Sequence, residues 1–256
     1  MAQNRSKAYG PDMPSTPLRP APRLFVLTGA GISAESGLKT FRDNDGLWET
    51  HRVEDVATPE AFARDPDLVQ RFYNQRRASL SEARPNAAHH ALGQLQRRLR
   101  EADGDLVLVT QNVDDLHERG GAQDVIHMHG ELTRGLCSAC GFRWTVDGDL
   151  LPGSACPACG TVGGPRPDIV WFGEMPYQMD RIERELARAD RFVSIGTSGA
   201  VYPAAGFVQA ARAAGVPTLE LNLEPSLGSA WFDEARHGPA GTVVPEWAEA
   251  VPATLG

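Results

Sequence analysis

The chain has 256 residues, of which 41% are hydrophobic and 23% charged, and 33 acidic residues against 25 basic ones give a formal net charge of -8. That charge argues against a nucleic-acid-binding protein, which usually presents a basic surface to the phosphates. The composition is that of an ordinary soluble globular protein. A chain of this length buries enough surface to fold without disulfides, so we expect one large domain, or one domain with a smaller insert.

The sequence shows no sign of a membrane span or of export. No run approaches 18 consecutive apolar residues, and the first residues, Met1–Lys7, lead into prolines instead of an apolar segment. We therefore expect a cytoplasmic protein. Residues 1–22 hold five prolines among small polar residues, which predicts a disordered leader without a function of its own. The folded part is expected to span residues 23–256.

Four short apolar runs predict the strands of a parallel sheet. They read as strands buried on both faces, and they are Leu24–Leu27, Leu106–Val109, Phe192–Ile195 and Thr218–Leu223. Helical patterns lie between them. Asp65 precedes Pro66 at one helix start, and Asn86 can cap another helix that ends near Gly104. Strands that alternate with helices indicate an α/β protein.

The glycine-rich segment after the first run matches the pattern GxGxxA, from Gly29 to Ala34. Glycines there let the backbone approach a pyrophosphate, although a tight strand-to-helix turn explains the match as well. A dinucleotide site also needs an acid at the end of a following strand. The acids near Asp43 do not lie at a strand end, so Asn222 and Glu224, which follow the last apolar run, are the better candidates for a ribose contact.

All four cysteines lie in two CxxC pairs, Cys137 with Cys140 and Cys156 with Cys159, and a glycine follows each pair. Each pair can supply two thiolates from one tight turn, so the spacing favours a tetrahedral zinc ion over disulfides or inert thiols. Four cysteine ligands leave no position for water. The predicted zinc site is therefore structural.

Two long inserts interrupt the alternation of strands and helices, residues 37–103 and residues 134–165, and both are too long for simple crossovers. We expect them to form a second, smaller domain, with zinc bound by the latter insert. The large domain is then expected to comprise three stretches, residues 23–36, 104–133 and 166–256.

Polar residues follow the second apolar run, where a parallel sheet presents them to its ligand crevice. They include Gln111, Asn112 and Asp114, although Asn112 or Asp114 could equally cap a helix. A further extended segment would place His127 and His129 on one face. A structural role is the default for a histidine, but His129 precedes a glycine and suits a general base near neutral pH.

Taken together and in order, these motifs resemble the sirtuins, which are NAD-dependent protein-lysine deacylases. The resemblance covers about residues 24–250 and rests on Gly29–Ser33, Phe41–Asp43, Thr110–Asp114, His129–Gly130, the two CxxC pairs, Gly196–Ser198 and Leu221–Glu224. It implies a Rossmann-like large domain, a small zinc-bearing domain and NAD bound between them. Acylated lysine segments of other proteins are the implied partners. We expect no nucleic-acid or membrane partner, and a monomer.

The resemblance also implies roles for individual residues. His129 and Asn112 are expected to be catalytic. The implied NAD contacts are Gly29, Ala30, Gly31, Ser33, Phe41, Arg42, Trp48, Gln111, Asn112, Val113, Asp114, Gly196, Thr197, Ser198, Asn222, Leu223, Glu224 and Ala240. Val170, Trp171, Phe172 and Gly173 resemble the segment that pairs with the substrate backbone by strand addition.

The implied reaction begins with loss of nicotinamide, as positive charge develops on the ribose. The acyl-lysine carbonyl oxygen attacks the ribose carbon because it is held in line with it. His129 then takes a proton from a ribose hydroxyl, which attacks the acyl carbon. The products are the free lysine, nicotinamide and 2'-O-acyl-ADP-ribose.

Tyr73 and Arg76 are neighbours on one predicted helix face that also carries Val69, Phe72 and Leu80. An arginine in an apolar stripe needs an anionic partner, and an internal salt bridge would supply one. The segment also resembles the TyrxxArg signature of sirtuins that remove succinyl and malonyl groups, in which the guanidinium binds the distal carboxylate. We therefore expect succinyl, malonyl and acetyl groups to be removed.

Three other functions remain open at this point. A zinc-ribbon module on a nucleotide-sensing domain would bind without turnover. A dehydrogenase with a structural zinc would form NADH. An ADP-ribosyltransferase would use the same ribose carbon with another nucleophile. Release of nicotinamide that depends on an acylated peptide distinguishes a deacylase from the first two.

Overall fold

A computed structural model describes residues 22–38, 47–48 and 51–252. The strands are β1 (Arg23–Thr28), β2 (Leu47–Trp48), β3 (His51–Arg52), β4 (Asp105–Thr110), β5 (Ile126–His127), β6 (Gly130–Cys137), β7 (Arg143–Thr145), β8 (Pro165–Ile169), β9 (Arg191–Ile195), β10 (Thr218–Asn222) and β11 (Glu234–His237). The α-helices are α1 (Val53–Val56), α2 (Pro59–Arg64), α3 (Pro66–Leu80), α4 (Ala87–Glu101), α5 (Leu116–Arg119), α6 (Met179–Leu186), α7 (Phe207–Ala213) and α8 (Ala240–Ala250). None of the described helices is long and apolar enough to cross a membrane.

The centre of the fold is a six-stranded parallel sheet with the order β11-β10-β9-β1-β4-β5. The four predicted strands are confirmed, and they occupy its middle. The chain adds β4 and β5 on one side of β1, and later adds β9, β10 and β11 on the other side. The junction of β1 and β9 is therefore the topological switch point, beside which such sheets bind ligands.

The predicted helix caps are confirmed. The Asp65 carboxylate accepts a hydrogen bond from the Leu68 amide at 2.9 Å, and Pro66 occupies the first turn of α3. The Asn86 side chain accepts one from the Ala88 amide at 3.0 Å, at the start of α4. Both caps satisfy backbone donors that the first turn of a helix leaves unpaired.

Helix α4 packs on the parallel sheet, whereas the sequence analysis assigned residues 37–103, which include α4, to the small domain. Its buried residues Leu92, Leu95 and Leu99 share one apolar cluster with Val26 and Leu106 of the sheet, and α8 packs beside it. The reason is that the apolar stripe of α4 is buried against this face of the sheet. The length of the insert does not indicate that contact. Helices α6 and α7 contribute to the apolar cluster on the other face.

A separate three-stranded antiparallel sheet, with the order β7-β6-β8, carries the cysteine-bearing turns. Helices α1, α2 and α3 cover it through a third apolar cluster that contains Phe72, Tyr73 and Trp171. Polar side chains of α3 anchor this packing, because Gln70 Nε2 donates to Pro165 O at 2.9 Å and Asn74 Nδ2 donates to Leu150 O at 2.9 Å. Helix α3 is thereby held against the insert that carries the second CxxC pair.

Candidate active site

The carboxyl ends of β1 and β4 carry a buried hydrogen-bonded floor. Thr28 Oγ1 donates to Thr110 Oγ1 at 2.8 Å and lies 2.9 Å from His117 Nε2, while the Asn112 amide donates to Thr110 Oγ1 at 3.0 Å. Burial lowers the pKa of His117 well below its usual value, and it stays neutral. The turn after β4 is thus fixed against β1.

Three of the predicted NAD contacts meet above this floor. Ser33 Oγ donates to Asp114 Oδ2 at 3.2 Å and accepts from Asn112 Nδ2 at 3.1 Å, and His89 Nε2 lies 3.4 Å from the same hydroxyl. Asp114 Oδ1 also accepts from the Leu116 amide at 3.1 Å, so this carboxyl also stabilises the turn that leads into α5. Burial raises the pKa of Asp114, although its hydrogen bonds oppose the shift.

His129 is a half-buried imidazole between β5 and β6. Its Nδ1 lies 3.1 Å from Gln111 O, and its carbonyl accepts from the Val170 amide at 2.9 Å. A carbonyl can only accept, so Nδ1 carries the proton and Nε2 presents its lone pair on the opposite side of the ring. Burial lowers the pKa of His129, which the Gln111 hydrogen bond opposes. A neutral imidazole in this tautomer is suited to take up a proton.

His127, by contrast, supports the backbone of the site. Its Nε2 lies 2.8 Å from a Glu118 carboxylate oxygen and its Nδ1 lies 3.3 Å from Asn112 O. Burial disfavours the charged ring, but the Glu118 hydrogen bond and charge outweigh it and raise the pKa of His127. The next carbonyl, Val113 O, accepts from the Leu132 amide at 2.8 Å. Both contacts fix the segment that bears Asn112.

The glycine-rich turn meets the end of β9 at the switch point. The amide of Gly29 donates to Ile195 O at 3.0 Å and that of Gly31 donates to Gly196 O at 2.8 Å, with Ala30 between them. A Cβ at Gly29 would lie 2.9 Å from Gly196 O, and a Cβ at Gly31 would lie 2.8 Å from the same atom. The two turns therefore have no room for side chains, which is the physical reason for glycine here.

Further predicted NAD contacts gather at the ends of β9 and β10. Asn222 Nδ2 donates to Thr197 O at 2.8 Å, and Thr197 Oγ1 lies 2.9 Å from Ser194 Oγ. Leu223 and Glu224 follow as exposed residues, and the Gly238 amide donates to Asn222 O at 2.9 Å. The remaining predicted residues are Ser198, in the turn after β9, and Ala240, the first residue of α8.

The predicted substrate segment lies between β8 and α6, beside His129. The amides of Val170, Trp171 and Phe172 are all used within the chain. Their acceptors are His129 O at 2.9 Å, Glu174 Oε2 at 2.8 Å and Ala57 O at 3.0 Å. Strand addition at this segment would therefore not use these three amides. The side chain of Phe172 is 47% exposed, whereas that of Trp171 is buried.

Tyr73 and Arg76 lie one turn apart on α3, and Tyr73 contacts this segment. Tyr73 is fully buried, and its phenol oxygen accepts from Trp171 Nε1 at 3.0 Å. The half-buried guanidinium of Arg76 lies 5.7 Å from the centroid of the Phe72 ring. Burial raises the pKa of Tyr73, and the hydrogen bond from Trp171 and then the positive charge of Arg76 oppose that shift.

The four cysteines come together as predicted. Their Sγ atoms all lie within 4.8 Å of one another, and Cys137 with Cys159 and Cys140 with Cys156 lie 3.8 Å apart. Four sulfurs about 2.3 Å from a tetrahedral zinc ion would be separated by about 3.8 Å, so the cluster fits one structural zinc. The two turns match, since Gly141 and Gly160 both have φ 73°.

For three of the predicted NAD contacts the structure describes no side chain. Phe41 and Arg42 lie outside the described residues. For Trp48 the backbone is described, as part of β2, and the side chain is not.

Sequence reasoning assigned no role to the buried partners Thr28, Thr110, His89 and His117. The two threonines had a usable signal, because each follows directly on a predicted buried strand. The histidines had none, since their partners come from distant parts of the chain.

Comparisons with known proteins agree with this architecture. A model of the Sir2 family matches residues 29–203. The chain is 58% identical over 233 residues to an NAD-dependent protein deacylase of Caulobacter vibrioides, an alignment covering 91% of this chain and 98% of the relative. It is 55% identical to the NAD-dependent protein deacylase SIR2rp3 of Trypanosoma brucei brucei, covering 91% of this chain and 96% of the relative.

Solved structures show the same fold. An ADP-ribose complex of a Sir2 homologue aligns with a TM-score of 0.82 at 40% identity, covering 90% of this chain and 92% of the other. An NAD complex of a Sir2 homologue aligns with a TM-score of 0.81 at 40% identity, covering 90% of each chain. The chain therefore belongs to the Sir2 family. It is an NAD-dependent enzyme that removes acyl groups from protein lysines, and the expected fold class is confirmed.

Proposed function

We propose that this enzyme removes succinyl and malonyl groups, as well as acetyl groups, from protein lysines, and that Arg76 and Tyr73 bind the distal carboxylate of the acidic groups. The observation that carries the proposal is that the half-buried Arg76 follows the fully buried Tyr73 by one turn of α3. A guanidinium next to a phenol offers charge-assisted hydrogen bonds to a carboxylate. An acetyl group has no group that would use them.

The position of this pair relative to His129 supports the proposal. Tyr73 bonds to Trp171, and Val170, the residue before Trp171, bonds to the backbone of His129. An acyl-lysine that approached His129 along this segment would direct its acyl chain towards α3. Tyr73, of the carboxylate-binding pair, and the proposed base His129 thus contact two adjacent residues, Trp171 and Val170.

The residues at the switch point fit a bound dinucleotide. The closely packed glycine turns leave the crevice lined by backbone, and Ser33, Asn112 and Asp114 supply buried donors and acceptors beside it. When bound, NAD supplies a glycosidic bond whose cleavage gives neutral nicotinamide and an electrophilic ribose carbon. We assign the phosphate contacts to residues 29–31, and the nicotinamide pocket to Asn112, Val113 and Asp114.

Proton transfer is assigned to His129. Its Nδ1–H is held by Gln111 O, so Nε2 is the nitrogen that accepts the proton of a ribose hydroxyl. The lowered pKa keeps Nε2 unprotonated at neutral pH. Asn112 acts by orientation, because its side chain is bonded to Ser33 and its carbonyl to His127. The adenosine contacts are assigned to Thr197, Ser198, Asn222, Leu223, Glu224 and Ala240.

The test compares the variant Arg76→Met with wild type on matched succinyl-lysine and acetyl-lysine peptides, with nicotinamide release and product masses as readouts. A lost charge-assisted hydrogen bond contributes about 1.5–3 kcal/mol, which is at least roughly tenfold in kcat/KM for the succinyl peptide. The acetyl peptide should change little. Arg71→Met is the matched control, because Arg71 is an exposed residue of the same helix. An equal loss on both peptides would discard the proposal.

A further inference from the structure

The buried indole of Trp171 determines how the phenol of Tyr73 can hydrogen bond. Trp171 Nε1 lies 3.0 Å from Tyr73 Oη, and the two side chains are 2% and 0% exposed. An indole N–H can only donate, so the phenol oxygen must be the acceptor in this bond. The phenolic proton is consequently directed away from the indole.

That direction matters because a carboxylate can only accept hydrogen bonds. A phenol that used its proton on the indole side would present lone pairs to an acidic acyl group and repel it. Trp171 removes that option. A phenol is protonated at neutral pH, and burial raises the pKa of Tyr73 further, so the group remains a donor. A hydrogen bond received by a phenol also polarises its own O–H bond and strengthens it as a donor.

The indole itself is held in one orientation. The guanidinium carbon of Arg166 lies 3.4 Å from the centroid of the Trp171 ring. Arg166 is fixed in turn by two hydrogen bonds to the Glu174 carboxylate, at 2.7 and 2.9 Å, and Glu174 also accepts from the Trp171 amide. The Phe62 ring also packs against the Trp171 ring, with 5.3 Å between the two ring centroids. These contacts orient the indole N–H towards Tyr73.

We propose that Trp171 is a specificity-determining positioning residue, which acts through Tyr73 by fixing its phenol as a hydrogen-bond donor to the carboxylate of an acidic acyl-lysine. This proposal rests on the proposed preference for acidic acyl groups. It assigns Trp171 a role in selecting the acyl group, in addition to the predicted contact of its backbone with the substrate.

The first test is Trp171→Phe, which keeps an aromatic ring for Arg166 to stack on and deletes the N–H. We expect KM for the succinyl peptide to rise about five- to tenfold with kcat nearly unchanged. The ratio of succinyl to acetyl kcat/KM should therefore fall by about five- to tenfold. Trp144→Phe is the control, since Trp144 is a half-buried tryptophan in β7. It should leave the ratio of succinyl to acetyl activity as in wild type.

The second test asks whether Trp171 acts through the phenol. Tyr73→Phe should lower the ratio of succinyl to acetyl activity by itself. Trp171→Phe added to that variant should lower the ratio no further, because the group that the indole orients is already absent. An additional drop in the double variant, or an equal loss on both peptides in the single Trp171 variant, would overturn the proposal.

Failure of this proposal is distinguishable from failure of the proposed function. If Arg76→Met does not reduce succinyl activity selectively, the acidic-acyl preference fails, and this inference fails with it. If Arg76→Met is selective and Trp171→Phe is not, the inference alone fails. If Trp171→Phe does not fold, β-(3-benzothienyl)alanine at position 171 keeps the shape of the indole without its N–H, and the same ratio decides.

Discussion

Replacing Gly31 by alanine measures how tightly the glycine turn must close against the end of β9. A Cβ at this position would lie 2.8 Å from both the Cα and the O of Gly196. Ordinary van der Waals contact begins near 3.4 Å, so the two turns would separate by roughly 0.6 Å. Gly31 does not have a positive φ, and alanine is therefore not strained there by its own backbone.

We expect Gly31→Ala to lower the free energy of unfolding by about 2 kcal/mol. Overpacking of this kind costs about 1–3 kcal/mol, and the lengthened hydrogen bond from the Gly31 amide adds about 1 kcal/mol. Loss of flexibility in the unfolded chain offsets about 0.5–1 kcal/mol. Tm should fall by roughly 4–8 °C. KM for NAD should rise as well, because the displaced turns line the proposed dinucleotide crevice.

Thermal unfolding and nicotinamide release at varied NAD concentrations check this expectation. The matched control is Gly153→Ala, since Gly153 is exposed, has no positive φ, and a Cβ there would meet nothing within 4 Å. The control should be neutral or slightly stabilising. If the Gly31 variant has the same Tm and the same KM for NAD as the control, the close contact between the two turns does not limit either property.

Three more outcomes are expected. Removal of zinc with a strong chelator should unfold the β7-β6-β8 sheet and abolish activity, and circular dichroism and zinc release would follow the unfolding. Full activity in zinc-free protein would contradict this expectation. Burial lowers the pKa of His117, and it lowers the pKa of His89 to about 4. The unfolded chain therefore binds protons at a higher pH than the folded protein, so the stability measured in urea titrations should be complete above pH 6.5 and should fall by about 3 kcal/mol from His89 alone as the pH drops to about 4. A flat profile would refute this expectation. Arg98→Met should destabilise the protein by about 1–2 kcal/mol in the same titrations, because Arg98 Nη2 donates to Val251 O at 2.9 Å and holds the end of α8 against α4. An unchanged midpoint would exclude this role.

The sequence located the features that depend on neighbours along the chain. The four central strands followed from apolar runs, and the starts of α3 and α4 followed from Asp65 and Asn86, because a capping side chain bonds to an amide two or three residues away. It described β5 only as an extended segment around His127, and it missed the edge strand β11. The former has two residues and the latter is exposed throughout, so neither has a buried apolar pattern.

The candidate site was predictable as a set of residues and not as a set of contacts. Its polar residues stand at the ends of recognisable strands, and the order of the motifs resembled one family. The hydrogen bonds that orient them join positions far apart, such as Ser33 with Asn112 and Tyr73 with Trp171, which are separated by 79 and 98 residues. No local pattern encodes which of several polar groups will meet after folding.

The amino-acid sequence alone therefore determined the parallel sheet, the zinc ligands and the family, since these follow from short-range hydrogen bonding, from short apolar runs buried on both faces and from ligand spacing within single turns. The tertiary structure alone decided that α4 covers the sheet, that His127 supports the backbone while His129 exposes a lone pair, and that an indole orients the phenol of Tyr73. Those outcomes depend on which distant surfaces become buried together, and burial sets both the protonation state and the hydrogen-bond partner of each group.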